Sequence, residues 1–159
     1  MSGRVYSSSF DGVTVAAVQD LFEIVCGSTA CVELLSLHLS QEQLIQDAEE
    51  EMWTVAVQGH SGAITSGSGG STPAVVPTHL GDAAAVAVVE ANNTVEISGG
   101  TAVTHHVMNW NVRVPLDFFW IPETRIWISP TDALTVTLLT TPTSATVGGT
   151  IYFREVGGV

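Results

Sequence analysis

Lysine is absent from these 159 residues, and the basic side chains are Arg4, Arg113, Arg125 and Arg154. Against sixteen carboxylates they leave a formal net charge of −12. Nucleic acid is thereby excluded as a free partner: phosphate binding needs clustered Lys or Arg to release counterions, and four scattered arginines make no basic stripe. An anionic membrane surface is disfavoured on the same ground. A phosphate-cradling P-loop is excluded because its lysine is missing. Edge strands, which many proteins guard with lysine, must here be covered by loops, carboxylates or a neighbouring subunit. Each arginine is expected to serve a specific ion pair or interface.

Charge of either sign is scarce, at 13% of residues against the usual quarter or so. Ser, Thr, Asn, Gln and Gly must cover the surface instead, and the wealth of Thr and Val suits strands. No run reaches the roughly 18 apolar residues that span a bilayer, and Met1-Ser2-Gly3-Arg4 is not followed by an apolar stretch, so a soluble chain without a secretory signal is expected. The two cysteines, Cys26 and Cys31, flank the turn Gly27-Ser28-Thr29-Ala30. They are either two small buried hydrophobes or the ends of a cross-hairpin disulfide. A metal would need further ligands close by.

What is present is period-two alternation. Apolar and β-branched runs recur between clusters of Gly, Pro, Ser, Asn and Asp, and helical periodicity is rare. The pattern predicts one all-β domain over 1–159, a jelly-roll-like sandwich of roughly eight to ten antiparallel strands with at most one short helix. The clearest case is Leu134, Val136 and Leu138 pointing to one face while Thr135, Thr137 and Leu139 point to the other, which predicts one buried and one wet face. The helical candidate is Ser40–Glu51, with Ser40 as cap and Gln43 at capping-box spacing. Residues 59–77, rich in Gly and Ser, are expected to form a long loop, and 157–159 a short tail.

A search for chemistry yields little, and the expectation is a protein without catalytic residues, cofactor or metal. His105 and His106 are adjacent in a strand, which sends their rings to opposite faces. Glu49-Glu50-Glu51 lacks the spacing of a calcium loop and reads as a solvated charge run. No Gly-x-Ser-x-Gly elbow occurs. Asp117 with Glu123 is a carboxylate pair whose separation sequence cannot measure. Asn92-Asn93-Thr94 matches a glycosylation sequon but reads as a turn.

The aromatics say more. Trp110, Phe118, Phe119, Trp120 and Trp127 crowd one region punctuated by Pro115, Pro122 and Pro130. Phe118, Phe119 and Trp120 are consecutive, so alternation sends at least one to each face. If both faces are dry, a partner covers one of them. Phe118, Phe119, Trp120 and Trp127, with Arg113 and Arg125, are therefore the candidate interface residues.

Several stretches together resemble a family of small proteins encoded in the structural-gene regions of tailed bacteriophages. They include Phe10-Asp11-Gly12-Val13-Thr14-Val15, Gln19-Asp20-Leu21-Phe22-Glu23-Ile24, Val32-Glu33-Leu34, and Thr65-Ser66-Gly67-Ser68-Gly69-Gly70-Ser71-Thr72-Pro73. Val89-Glu90-Ala91-Asn92-Asn93-Thr94, Ile128-Ser129-Pro130 and Tyr152-Phe153-Arg154-Glu155-Val156-Gly157 complete the likeness, which covers nearly the whole chain. The resemblance implies a virion component with a jelly-roll-like fold, made in the host cytoplasm: a capsid decoration (cement) protein, a head-fibre base or a small tail protein. It implies self-association, often as trimers, and binding to the phage major capsid protein or another virion protein. It lends no catalytic residues. The alternative is a carbohydrate- or receptor-binding module on the head fibre or tail, in which Trp120 or Trp127 stacks on a sugar ring.

Overall fold

The computed structural model describes residues 3–42 and 51–157. Eleven strands run through them: β1 (Arg4–Val15), β2 (Gln19–Val25), β3 (Ala30–Gln41), β4 (Met52–Thr65), β5 (Val75–Pro77), β6 (Val88–Asn93), β7 (Ser98–Asn111), β8 (Leu116–Phe119), β9 (Trp127–Ile128), β10 (Ala133–Leu138) and β11 (Ala145–Gly157). One 3₁₀ turn, Pro122–Thr124, is the helical content of the described residues. The all-β sandwich expectation holds; the count exceeds ten because β5 and β9 are three and two residues long.

The topology follows from one operation. Antiparallel pairs join β1 to β11, β2 to β10, β3 to β8 and β4 to β7, which are the pairs of a single long hairpin folded between β4 and β7. Rolling that ribbon lays β11 on β3 and β10 on β4. The result is a six-stranded sheet ordered β5-β1-β11-β3-β8, with β9 also on β3, and a five-stranded sheet ordered β6-β2-β10-β4-β7. These two sheets make a jelly roll. The excursion between β4 and β7 lends β5 to the free edge of β1 and β6 to that of β2. One flank of the sandwich is thereby closed by short strands, one of them ending in Pro77, as edge protection without lysine requires.

The core lies between the sheets. Leu134, Val136 and Leu138 of β10 face Ile151 and Phe153 of β11 and Leu37 of β3, all without solvent exposure. Trp53 and Trp110 meet edge to face, ring centroids 5.4 Å apart, across the β4–β7 pair. A register shift between Phe10 and Val13 bends β1 at Gly12, whose φ of 62° is the left-handed conformation that glycine adopts without steric cost.

Several expectations need correction. The stretch 59–77 is not a free loop: Gly59–Thr65 continues β4, Val75–Pro77 is β5, and Ser68 and Ser71 bridge to Val95 and Ala91. Its glycines serve close approach rather than looseness, since a Cβ on Gly70 would collide with the Ala91 carbonyl. Ser40 and Gln41, read as a helix start, extend β3 against Gly148 and Val147, and 43–50 lie outside the described residues. Gly157, read as tail, pairs with Ala30. Between β6 and β7 the chain contributes a single bridge, Val95 to Ser68, before β7 begins at Ser98.

The outer face of β10 is not wet. Thr135 and Thr137 are as buried as the core leucines, because the segment around Ser66 and Gly67 crosses this face and is anchored on Glu23. Glu23, fully buried, accepts from the Ser66 hydroxyl at 2.5 Å, the Gly67 amide at 3.0 Å and the Asn93 side-chain amide at 3.1 Å. Asp20 accepts from the Ile97 amide at 3.0 Å and the Thr137 hydroxyl at 2.6 Å. Burial pushes the Asp20 carboxyl up to about 6 although both hydrogen bonds pull the other way, and burial lowers the pKa of His60 nearby. Cys26 lies in the core and Cys31 is half-buried, and both thiols are free. Asn92 and Asn93 of the sequon-like run, read as a turn, are the last two residues of β6, with Asn92 at φ 59° and the chain bending only at Thr94.

Candidate functional site

The outer face of the six-stranded sheet carries the arrangement with most chemical content. β11 shifts register against β3, pairing Tyr152 with Ser36 and Phe153 with Leu34, so Leu35 is the extra residue of a bulge. The bulge lets Leu34 and Leu37 both reach the core while Ser36 and His38 share the outer face. On the other side of β3, β8 sets Phe119 opposite Ser36 and Asp117 opposite His38.

These registers build a chain of three polar side chains. His38 Nδ1 lies 2.6 Å from the Asp117 carboxylate, and His38 Nε2 lies 3.0 Å from the Ser36 hydroxyl. An ionised carboxylate only accepts, so Nδ1 carries the proton; Nε2 of the neutral ring then accepts from the Ser36 hydroxyl. Two further rings fix the imidazole plane. Phe119 meets it at 5.1 Å and Tyr152 at 5.8 Å, both edge-on.

Ser36, His38, Phe119, Trp120, Arg125 and Tyr152 line a cavity of about 560 Å³. A second cavity of similar size shares His38 with it and is lined in addition by Asp117, Gly148 and Gly149. Arg125 brings the positive charge. Its Nη1 lies 3.3 Å from Glu33, and its Nε donates to the Trp120 carbonyl at 3.4 Å. Glu33, only 3% exposed, is also met by Arg154 at 3.0 Å, so one buried carboxylate is flanked by two guanidinium groups. The expectation of specific ion pairs holds for Arg125 and Arg154.

The six candidate interface residues do not form one surface. Phe119 is 67% exposed and Trp127 51%, both along the outer side of β3, with Trp127 opposite Glu33. Phe118 turns inward and packs on Trp120 and His106 with ring centroids 4.7 Å away in each case, filling the gap between β8 and β7. Trp120 is buried and presents no stacking face to solvent. Arg113 lies exposed in the turn after β7, and Arg125 is committed to Glu33. Alternation therefore does divide Phe118 from Phe119, but the strand ends there and Trp120 folds into the sandwich.

Of the other candidates, His105 is the extra residue where β7 shifts register between Val57 and Gln58, and its Nε2 stands over Gly59. His106 faces Phe118. Asp117 is taken by His38. Glu51 accepts from the Thr143 amide, whereas Glu49 and Glu50 lie outside the described residues. Among the described residues no three His, Cys, Asp or Glu side chains are grouped to hold a metal ion.

Sequence reading missed Ser36, His38 and Asp117 as a unit. Ser36-Leu37-His38 shows two polar side chains at strand spacing, the one local signal available. Asp117 lies 79 residues from His38, and the β3–β8 register alone brings it there.

Scans of protein-family models, curated proteins and solved structures found no match to this chain.

Proposed function

We propose that this chain is a structural protein of a tailed-phage particle, a capsid decoration protein that associates with its own copies and with the capsid lattice. One observation carries the reading. β7 is an edge strand fourteen residues long, paired among the described residues with β4 alone, without proline or lysine, and Val103 and Val107 on it are each 51% exposed. An edge of this length in a monomer invites pairing with another strand. Among the described residues its flank gains only the two-residue β9, which sits on β3 beside β8 and leaves β7 uncovered, in contrast to β5 and β6 opposite. The jelly roll, common to viral capsid and lectin domains, and the resemblance along the sequence support the same reading.

Sedimentation over a range of concentrations tests it. Wild type should sediment as a homo-oligomer, a trimer by the resemblance, and should bind phage shells. Val103→Lys with Val107→Lys, which places lysine along β7, should dissociate it without loss of fold. A wild-type monomer at every concentration that does not bind shells overturns the proposal.

A second reading, carbohydrate recognition, draws on the exposure of Trp127 and Phe119, since an exposed aromatic face stacks on a sugar ring. Trp120, buried, drops out of it. Unchanged fluorescence on adding host polysaccharide counts against this reading.

A further inference from the structure

We propose that Ser36, His38 and Asp117 form an acyl-transfer centre that cleaves small carboxylic esters, an activity separate from assembly through β7. The connectivity is that of a nucleophile, its base and the group that orients the base. Asp117 holds the Nδ1 proton at 2.6 Å, which leaves Nε2 as acceptor, and Nε2 faces the Ser36 hydroxyl at 3.0 Å. Both distances fall within the reach such a relay needs. The edge-on rings of Phe119 and Tyr152 restrain the imidazole against rotation out of line.

The surroundings suit an acyl substrate. Ser36 is 4% exposed, and it opens on the cavity of about 560 Å³ walled by Leu35, Phe119, Trp120 and Tyr152. A space of that volume accepts a small ester with its acyl group against the aromatic walls. Arg125 lines the same cavity and uses two of its five N–H groups, on Glu33 and on the Trp120 carbonyl. Its remaining donors are the positive charge available to a developing oxyanion.

In the reaction, Ser36 Oγ bonds to the ester carbonyl carbon while its proton passes to His38 Nε2, and the carbonyl π electrons move to oxygen. Collapse breaks the carbon–oxygen bond of the ester, and the leaving alkoxide takes the proton from Nε2. Water then attacks the acylated Ser36 by the same route, giving the carboxylic acid and restoring the hydroxyl. The net change is ester plus water to acid plus alcohol.

A fluorophosphonate probe tests the centre directly, because the serine oxygen displaces fluoride and keeps the phosphonyl group. Intact mass should show one adduct, mapped by peptide digestion to Ser36, and the protein should hydrolyse p-nitrophenyl acetate. Ser36→Ala should abolish both while unfolding at the wild-type temperature within a few degrees. Asp117→Asn, which leaves the hydroxyl in place, should slow labelling at least 100-fold; so should His38→Gln. An unlabelled protein, an adduct mapped to another residue such as Tyr152, or a Ser36→Ala variant hydrolysing at the wild-type rate overturns the proposal.

Discussion

The Asp20 carboxylate accepts a 2.6 Å hydrogen bond from the Thr137 hydroxyl, and both side chains are buried on the outer face of the five-stranded sheet. The contact helps hold the β4–β7 excursion, since the other Asp20 oxygen accepts from the Ile97 amide. An acid whose folded pKa, about 6, lies above its ordinary 3.8 binds a proton more readily in the native state. Its contribution to stability therefore falls as pH rises through the window between those values, by up to about 1.4 kcal/mol per pH unit. Asp20→Asn keeps an acceptor and removes the charge. Urea unfolding should find it as stable as wild type or more so at pH 7, with the difference shrinking toward pH 4. A difference that does not vary with pH contradicts this account. His60, whose pKa burial lowers, acts in the opposite sense: its contribution is present above about 6.5 and is lost as pH falls below that.

Glu33 between Arg125 and Arg154 makes a coupled triad. Either Arg125→Met or Arg154→Met leaves the carboxylate one partner and, with both arginines partly exposed, should cost about 1 kcal/mol. The double variant strands a carboxylate that is 3% exposed, and breaking a buried pair in that way costs roughly 3–5 kcal/mol. The double-mutant cycle should thus be non-additive by about 1 kcal/mol or more. Additive losses would show that solvent reaches Glu33.

Phe119 and Leu37 make a contrast within one ladder. Leu37→Ala removes an unexposed core side chain and should cost about 2–5 kcal/mol. Phe119→Ser, its ring 67% exposed, should stay within about 1 kcal/mol. Thermal unfolding of both variants distinguishes them.

The cysteines should behave differently from each other. Burial pushes the Cys26 thiol up to about 12, and the side chain sits in the core. Iodoacetamide should alkylate Cys26 only after denaturation and Cys31 slowly in the native protein. Mass spectrometry of native protein should find neither in a disulfide; a mass lower by two hydrogen atoms contradicts the structure.

Much of this fold is legible in the alternation itself. β10, and β11 as far as Phe153, carry core residues at every second position, and so do the core positions of β3 outside its bulge. What alternation cannot give is which strand neighbours which. Leu35 breaks the period at its bulge, and that single insertion puts Ser36 and His38 on the outer face instead of the core face that Leu34 would otherwise hand on to them. Glycine misleads in the same way: the run from Gly67 to Gly70 reads as slack, yet it packs because the Val95 and Ala91 carbonyls approach where a Cβ would stand. The apparent wetness of Thr135 and Thr137 fails because the cover, at Ser66 and Gly67, lies far away in sequence. Ser36 and Asp117 are invisible as a pair for the same reason.

The open β7 edge is most directly tested by amide hydrogen exchange across Ser98–Asn111, measured in dilute and in concentrated protein. Amides of His106–Asn111, a run uninterrupted by register shifts, should become slower to exchange as concentration rises, while those of β10 stay unchanged. Exchange along β7 that is equally fast at both concentrations would contradict an edge completed by a neighbouring copy.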